Sequence, residues 1–242
     1  MSGSADKLKD LFSGLFAKLM EFTIQEEFLS SLGESLEVFY DLKAEEEYEF
    51  IPTNEFLFLT WFLLDDIGVI GENGCLMDEF IRRKADVLSI QEMQICKALE
   101  DTSLNLLEVK GCVPGKSMTL RDAFTGETFE VEESMGNGDV AETGNILFTR
   151  VLKLGDMHFL VGAGIFLDKS LKEYITQDFT KAYQDACEEG DHCSFKDFLK
   201  RNGFLLNHWI KAYERGELTD DGEDGGDDEP SDGEDDDKDK EK

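Results

Sequence analysis

Apolar residues recur every three or four positions through the first part of the chain, which is the period of an α-helix. The segment 54–66, NEFLFLTWFLLDD, is apolar on nearly every side, so we expect it to be the buried central helix. Ser89 followed by Glu92 is typical of a capping box at a helix start. The helices predicted here cover 6–20, 24–42, 54–66, 75–85 and 89–101.

From residue 104 the period of the apolar positions changes to two, and glycines and β-branched residues become frequent. The predicted strands cover 104–113, 117–122, 127–133, 145–154 and 158–167. Five short antiparallel strands favour a small barrel or a strongly bent sheet, because closing a sheet removes its exposed edges. Helical spacing then returns, and the predicted helices cover 169–184, 194–202 and 204–213.

These elements predict an α+β fold. We expect a helical N-terminal part, a small five-stranded antiparallel barrel-like β-module, C-terminal helices that pack on the same core, and a disordered acidic tail. The tail contains almost no apolar residue, so it cannot offset the entropy lost on ordering. The expected boundaries of the four parts are 1–103, 104–168, 169–218 and 219–242.

The chain carries 55 acidic and 24 basic residues, for a formal net charge of −31. A surface of this sign repels phosphates and anionic lipids, so we expect neither nucleic-acid nor membrane binding. It attracts a basic protein or peptide, although acidic charge also serves simply to keep a protein soluble. The tail residues expected to contact a basic partner are Asp220, Asp221, Glu223, Asp224, Asp227, Asp228, Glu229, Asp232, Glu234, Asp235, Asp236 and Asp237.

The five cysteines are scattered and odd in number, which favours reduced thiols and a cytoplasmic location. Cys187, His192 and Cys193 lie close together in sequence, but the second ligand pair of a structural zinc site is missing nearby. The same segment resembles a calcium loop, except that Lys196 occupies the position of the bidentate glutamate. No stretch has P-loop spacing or a recognisable nucleophile motif. We therefore predict no metal, no cofactor and no catalytic residue.

The segment TLRDAFTGETFEV, residues 119–131, gathers Asp122, Thr125, Gly126 and Glu127 between two predicted strands. These residue types could form a reactive cluster, but the period of two on either side indicates a tight hairpin. Aspartate and threonine bond to local backbone in turns, and glycine adopts the positive φ that such turns need. We interpret the segment as a fold signature.

Four segments together resemble a family of uncharacterised bacterial proteins: WFLLDD, LRDAFTGETFEV, GNILFTRVL and FLVGAGIFL. In that family a W-F-L-x-D helix precedes a small β-module with an L-x-D-L-L-T-G-E turn, and many members end in a SEC-C zinc-binding segment. This chain lacks the cysteine run of that segment and has an acidic tail in its place. The resemblance implies no chemical role for the matching signature residues, which are Trp61, Asp65, Asp122, Thr125, Gly126, Glu127, Gly144 and Arg150.

The favoured hypothesis is a non-enzymatic cytosolic binding or adaptor protein whose acidic surface engages a basic partner. A divalent-metal-dependent hydrolase that uses carboxylates is the alternative, and it requires acidic side chains that converge in a pocket. A nucleic-acid mimic ranks third and requires a regular row of exposed acidic residues. The sequence leaves the oligomeric state open.

Overall fold

In a computed structural model of the protein, the described residues are 2–43, 48, 52–67, 69, 74–132 and 143–216. The helices in these ranges are α1 (Ser2–Thr23), α2 (Leu29–Tyr40), α3 (Pro52–Leu64), α4 (Leu76–Lys84), α5 (Ile90–Glu100), α6 (Leu171–Glu188), α7 (Phe195–Asn202) and α8 (Phe204–Glu214). The strands are β1 (Leu104–Val113), β2 (Ser117–Asp122), β3 (Thr128–Glu132), β4 (Ile146–Leu154), β5 (Met157–Leu160) and β6 (Ile165–Leu167). Of the helices in these ranges, none combines the length and the apolarity needed to cross a bilayer.

Helix α3 is the central helix that the sequence predicts. Leu57, Phe58, Phe62 and Leu63 are each at most 1% exposed, and α1, α2 and α4 all pack against this helix. An element that is apolar on every face is stable only when other elements surround it. The N-terminal helices therefore form a layer around α3.

The predicted helix over 24–42 is wrong in its first turn. The structure has a 3₁₀ turn at Glu26–Phe28, and α2 begins only at Leu29. The ring centroids of Phe22 and Phe28 lie 5.2 Å apart, and both side chains are buried. The break between α1 and α2 lets both rings enter the same core. Burial of the two rings stabilises the fold more than the hydrogen bonds of one continuous helix would.

The β-module is a closed barrel of five strands with a sixth strand added, and its β1, β2, β3 and β4 match the predicted segments. The strands follow the order β1-β2-β3-β5-β4-β6, and the pairing of β1 with β4 closes the barrel. The expectation of a purely antiparallel sheet is wrong at one position, because β3 and β5 are parallel, with Val131 opposite His158. Residues 133–145 separate β3 from β4 in sequence, and β3 pairs with β5, the strand that follows β4.

The single strand predicted over 158–167 is divided into β5 and β6. Both follow the same edge of β4, but the register changes by two residues, from Val151 opposite Leu160 to Phe148 opposite Ile165. At this change of register, the segment around Gly164 lies very close to β4. A Cβ on Gly164 would lie 2.6 Å from the Leu147 side chain. Such close approach interrupts the regular ladder.

Two apolar clusters hold the fold together. The smaller one joins side chains of β1 to β4 and comprises Leu107, Val109, Met118, Leu120, Val131 and Leu147. The larger one combines α1 to α5 with one face of the sheet and with the C-terminal helices, which contribute Phe179, Phe198, Leu206 and Ile210. Helices from both ends of the chain therefore share one core with the barrel.

Candidate functional site

Two of the signature residues, Asp65 and Arg150, meet in a buried ion pair. Asp65 follows α3, where its amide donates to the Trp61 carbonyl at 2.8 Å, and Arg150 lies in β4. The Asp65 and Arg150 side chains are 1% and 0% exposed. The Nη2 atom of Arg150 donates to Asp65 Oδ2, and Nη1 lies 3.4 Å from Oδ1. This pair connects the central helix to the barrel.

Lys200 of α7 and Thr102, which precedes β1, join the same group, and we name these four residues the junction cluster. Lys200 Nζ lies 2.6 Å from Asp65 Oδ1 and 2.9 Å from the Thr102 carbonyl oxygen. Arg150 Nη1 donates to that carbonyl at 2.9 Å. Burial disfavours the charged ammonium and lowers the pKa of Lys200 from its usual range. One carboxylate thus holds two cations and ties α3, α7 and the barrel together.

A cleft of about 370 Å³ lies beside the junction cluster, between α2, the end of α3 and the corner of α7 and α8. We name it the Trp61 cleft. Its lining combines three acidic side chains with apolar ones and one arginine. The lining residues are Ser31, Glu34, Ser35, Val38, Trp61, Asp65, Asp66, Ile67, Val69, Arg201 and Phe204.

Asp66 is the half-buried carboxylate of this cleft. The Ser35 hydroxyl donates a short hydrogen bond to its Oδ2 atom. Burial raises the pKa of Asp66 above its ordinary value, despite the Ser35 bond that acts the other way, and the neighbouring Asp65 carboxylate adds to the rise. In the part of the chain that the structure describes, no cation pairs with Asp66. A cation from outside would therefore stabilise its ionised form.

Trp61 lies in the wall of the cleft and carries a buried donor. The indole is 3% exposed and packs against Phe39 and Phe204, with ring centroids 5.3 and 5.5 Å away. Its buried Nε1 has no hydrogen-bond partner among the described residues. An indole N–H can only donate, and a buried donor without an acceptor costs about 1–3 kcal/mol. The Nε1 atom is enclosed in the wall of the cleft, so a ligand in the cleft does not reach it unless the indole shifts.

Arg201 already has partners at its place in the cleft. Its Nη2 atom donates to Asp191 Oδ2 at 2.7 Å, and its guanidinium also interacts with the Cys193 thiol. The positive charge of Arg201 is thus directed to the loop between α6 and α7. It does not neutralise Asp66.

The segment around Gly126 is a hairpin turn, as the sequence indicates. The Asp122 carboxylate accepts hydrogen bonds from the amides of Phe124 and Thr125, both at 2.8 Å. The Gly126 amide donates to the Asp122 carbonyl at 3.0 Å, and Gly126 has a φ of +75°. The Thr125 hydroxyl accepts from the Glu127 amide at 3.3 Å. These side chains stabilise the turn, so they act in folding.

A second cleft, of about 590 Å³, lies between this turn and α6. Phe124, Tyr183 and Phe195 give it an aromatic lining, and Lys181 is the only charged side chain among the described residues that line it. Its lining contains no buried side-chain donor or acceptor that lacks a partner among the described residues. We therefore take the Trp61 cleft as the candidate site.

The remaining predicted residues fall in three places. Gly144 lies just before β4, where its amide donates to the Val109 carbonyl at 2.8 Å. Cys187, His192 and Cys193 flank the end of α6, and across the described ranges no group of three or more metal-ligating side chains converges. The tail residues over 220–237 lie outside the described residues.

Sequence reasoning missed most of the site. Asp65 and Trp61 were identified only as signature residues, and Ser35, Asp66 and Lys200 were not identified. The sequence offers one indication of Asp66: two aspartates stand directly after a wholly apolar helix, which places them at the edge of the core. In the sequence, nothing distinguishes Lys200 from the exposed polar residues of the amphipathic helix α7, although the structure shows it partly buried.

Comparison with curated proteins and with solved structures finds no match. The model of one protein family matches residues 7–202, which include the junction cluster and all residues of the Trp61 cleft except Phe204. The chain therefore belongs to a family of unknown function (DUF7986).

Proposed function

We propose that the protein is a non-enzymatic binding or adaptor protein whose Trp61 cleft takes up a basic side chain of a protein partner. One observation carries this proposal. Within the described residues, the cleft presents the half-buried Asp66 carboxylate, which lacks a cation, beside apolar side chains. An arginine-containing or lysine-containing peptide offers that cation, so it would satisfy the carboxylate.

The apolar part of the lining suits a long basic side chain. Val38 and Ile67 are 49% and 59% exposed. The methylene stem of lysine or arginine packs on such surfaces while the charged head reaches a carboxylate. Glu34 lines the same cleft and adds a second negative charge. The lining therefore favours a basic residue over an acidic or a small one.

The net charge of −31 supports the same kind of partner, because an acidic protein attracts basic ones during diffusion. Such steering weakens as salt screens the charges. The tail contributes much of this charge, so deletion of 219–242 separates its effect from that of the cleft. We expect the deletion to slow association and to leave the effect of Asp66 in place. The cytoplasmic location and bacterial origin expected from the sequence belong to this proposal.

Titration with short fluorescent peptides tests the proposal. One peptide carries a central arginine, and its match carries citrulline, which has nearly the same shape without the charge. We expect the protein to prefer the arginine peptide and Asp66→Asn to weaken its binding about tenfold, which corresponds to about 1.4 kcal/mol. Fluorescence anisotropy at low salt measures both affinities.

The matched control is Asp156→Asn, which removes the same charge from the exposed turn between β4 and β5. It leaves the Trp61 cleft intact, so the arginine peptide should bind it as it binds the natural protein. Equal weakening by Asp66→Asn and Asp156→Asn would show that only the overall charge matters. Equal affinity for the two peptides would exclude a cation site in the cleft.

A further inference from the structure

Two cysteines near the end of α6 are brought to the same side of that helix. Cys187 lies in its last turn, and the chain then reverses direction. The Gly190 amide donates to the Cys187 carbonyl at 3.2 Å, and the Asp191 amide donates to the Ala186 carbonyl at 2.9 Å. Bonds of this kind end a helix and turn the following residues back along it. The reversal carries Cys193 toward the face of α6 that holds Cys187.

Tyr183 holds the returning segment in place. It lies four residues before Cys187 on α6, and residues with this spacing share one face of a helix. The Tyr183 hydroxyl donates to the Cys193 carbonyl oxygen at 3.2 Å. The same hydroxyl forms a hydrogen bond with the Cys187 thiol, and the Cys193 thiol lies near enough to help raise the pKa of Tyr183. Both partly exposed thiols therefore belong to residues that contact the Tyr183 hydroxyl.

We propose that Cys187 and Cys193 form a reversible disulfide when the protein meets hydrogen peroxide. The sulfur of one cysteine attacks a peroxide oxygen, the O–O bond breaks, and a sulfenic acid and one water form. The sulfur of the other cysteine attacks the sulfenic sulfur. The S–S bond forms as the S–O bond breaks, and a second water leaves with the remaining thiol proton. The two sulfurs together lose two electrons, which the peroxide accepts.

The other thiols are less suited to this reaction. Burial raises the pKa of Cys96 to about 12 and that of Cys75 to about 11, so both stay protonated at neutral pH. Cys112 lies in the barrel strand β1, away from the loop between α6 and α7. Cys187 and Cys193 are thus the pair in which peroxide oxidises one thiol and the second thiol reacts with it to form the disulfide.

The disulfide has a consequence for the Trp61 cleft, and this consequence alone rests on the proposed function. Arg201 lines the cleft and interacts with the Cys193 thiol. Drawing Cys193 into a disulfide removes that thiol from Arg201, which also donates to Asp191. The guanidinium then has one partner fewer in the loop between α6 and α7, and it turns more readily toward the carboxylates of the cleft. Oxidation should therefore weaken the binding of a basic peptide.

Peptide mapping of the full chain tests the disulfide. After treatment with hydrogen peroxide, free thiols are blocked with N-ethylmaleimide and the protein is digested with trypsin. Cleavage after Lys181 and Lys196 gives one peptide that contains both cysteines. We expect this peptide to appear without the blocking group and about 2 Da lighter than its reduced form, and dithiothreitol to reverse the change. Recovery of the peptide with both thiols blocked, or with either thiol linked elsewhere, overturns the proposal.

Two variants make the mapping specific. Cys187→Ser leaves no resolving thiol, so the lighter peptide should be lost. Cys112→Ser is the matched control and should retain it. The arginine peptide is then titrated against reduced and oxidised protein. Weaker binding after oxidation supports the link to the cleft, and unchanged binding removes that link while the disulfide stands. Absence of binding to the reduced protein overturns the proposed function and leaves the mapping result unaffected.

Discussion

Asp65 and Asp66 are neighbours in the chain, yet their carboxylates have opposite surroundings. Asp65 is fully enclosed and holds the cations of Arg150 and Lys200. Asp66 lines the Trp61 cleft, accepts a hydrogen bond from Ser35 and has no cation among the described residues. Both residues line the cleft, but the Asp65 carboxylate is held by internal cations and the Asp66 carboxylate is left without one.

The comparison separates carboxylates that stabilise the fold from carboxylates available to a partner. In a chain with 55 acidic residues, the number of carboxylates has no predictive value for function. What distinguishes Asp65 from Asp66 is whether the protein itself supplies the opposite charge. A buried charge that loses its internal partner is costly, whereas a partly exposed charge tolerates the lack of one. Substitutions at the two positions should therefore act on different properties.

The largest effect is expected from Asp65→Asn. This change leaves two cations, Arg150 and Lys200, without a carboxylate in the interior. We expect a loss of about 3–5 kcal/mol in the free energy of unfolding, measured by urea denaturation at neutral pH. Asp66→Asn is the matched control and should change this free energy by less than about 1 kcal/mol.

A second substitution shows whether the unpaired cations cause the loss. Adding Lys200→Met to Asp65→Asn removes one of the two cations, so the double variant should lose less than the sum of the single losses. Similar destabilisation by Asp65→Asn and Asp66→Asn would contradict the contrast between the two sites.

An intermediate effect is expected from Gly126→Val, which tests the folding role of the hairpin signature. Gly126 has a φ of +75°, which a β-branched residue adopts only under strain, so we expect a loss of about 1–3 kcal/mol in the free energy of unfolding. Gly111→Val is the control, since Gly111 lacks a positive φ and a Cβ there meets no atom within 4 Å. Binding of the arginine peptide should stay unchanged in folded Gly126→Val protein. Unaltered stability in that variant would overturn the role of the turn.

Local patterns in the sequence predict most of the fold. Strands β2 and β3 alternate apolar and polar residues, and turn residues end or follow β1, β2 and β4, so these positions follow largely from neighbours in sequence. The parallel pairing of β3 with β5 does not follow, because it joins residues far apart in sequence, such as Val131 and His158. The break between β5 and β6 depends on contact of Gly164 with β4, which is likewise not local.

The candidate site is even less local. Asp65 and Arg150 are 85 residues apart in sequence, so no local sequence pattern shows that they form a pair. The Trp61 cleft draws its lining from α2, the end of α3, and α7 with α8. One face of α2, the end of α3 and the corner of α7 and α8 create the cleft only after they pack. Periodicity describes each of these helices but does not give their relative positions.

The smallest effect, and the sharpest distinction between the two aspartates, is expected in the pH dependence of peptide binding. Burial raises the pKa of Asp66 in the free protein, whereas a bound guanidinium favours the ionised carboxylate. The peptide therefore binds best above that raised pKa, and affinity falls as pH decreases through it because protonation competes with the cation. Stability runs the other way: the contribution of Asp66 to stability falls as pH rises from the unfolded-state pKa through the folded-state pKa.

Anisotropy titrations of the arginine peptide from acidic to neutral pH measure this dependence. Asp66→Asn carries no titratable group at the cleft position, so its weaker binding should lose most of the pH dependence. Asp156→Asn should keep the natural profile, because its charge lies in an exposed turn away from the cleft. If Asp66→Asn retained the full profile, the titrating group would lie elsewhere on the acidic surface. Asp66 would then resemble the other exposed carboxylates, and the distinction from Asp65 would be one of burial alone.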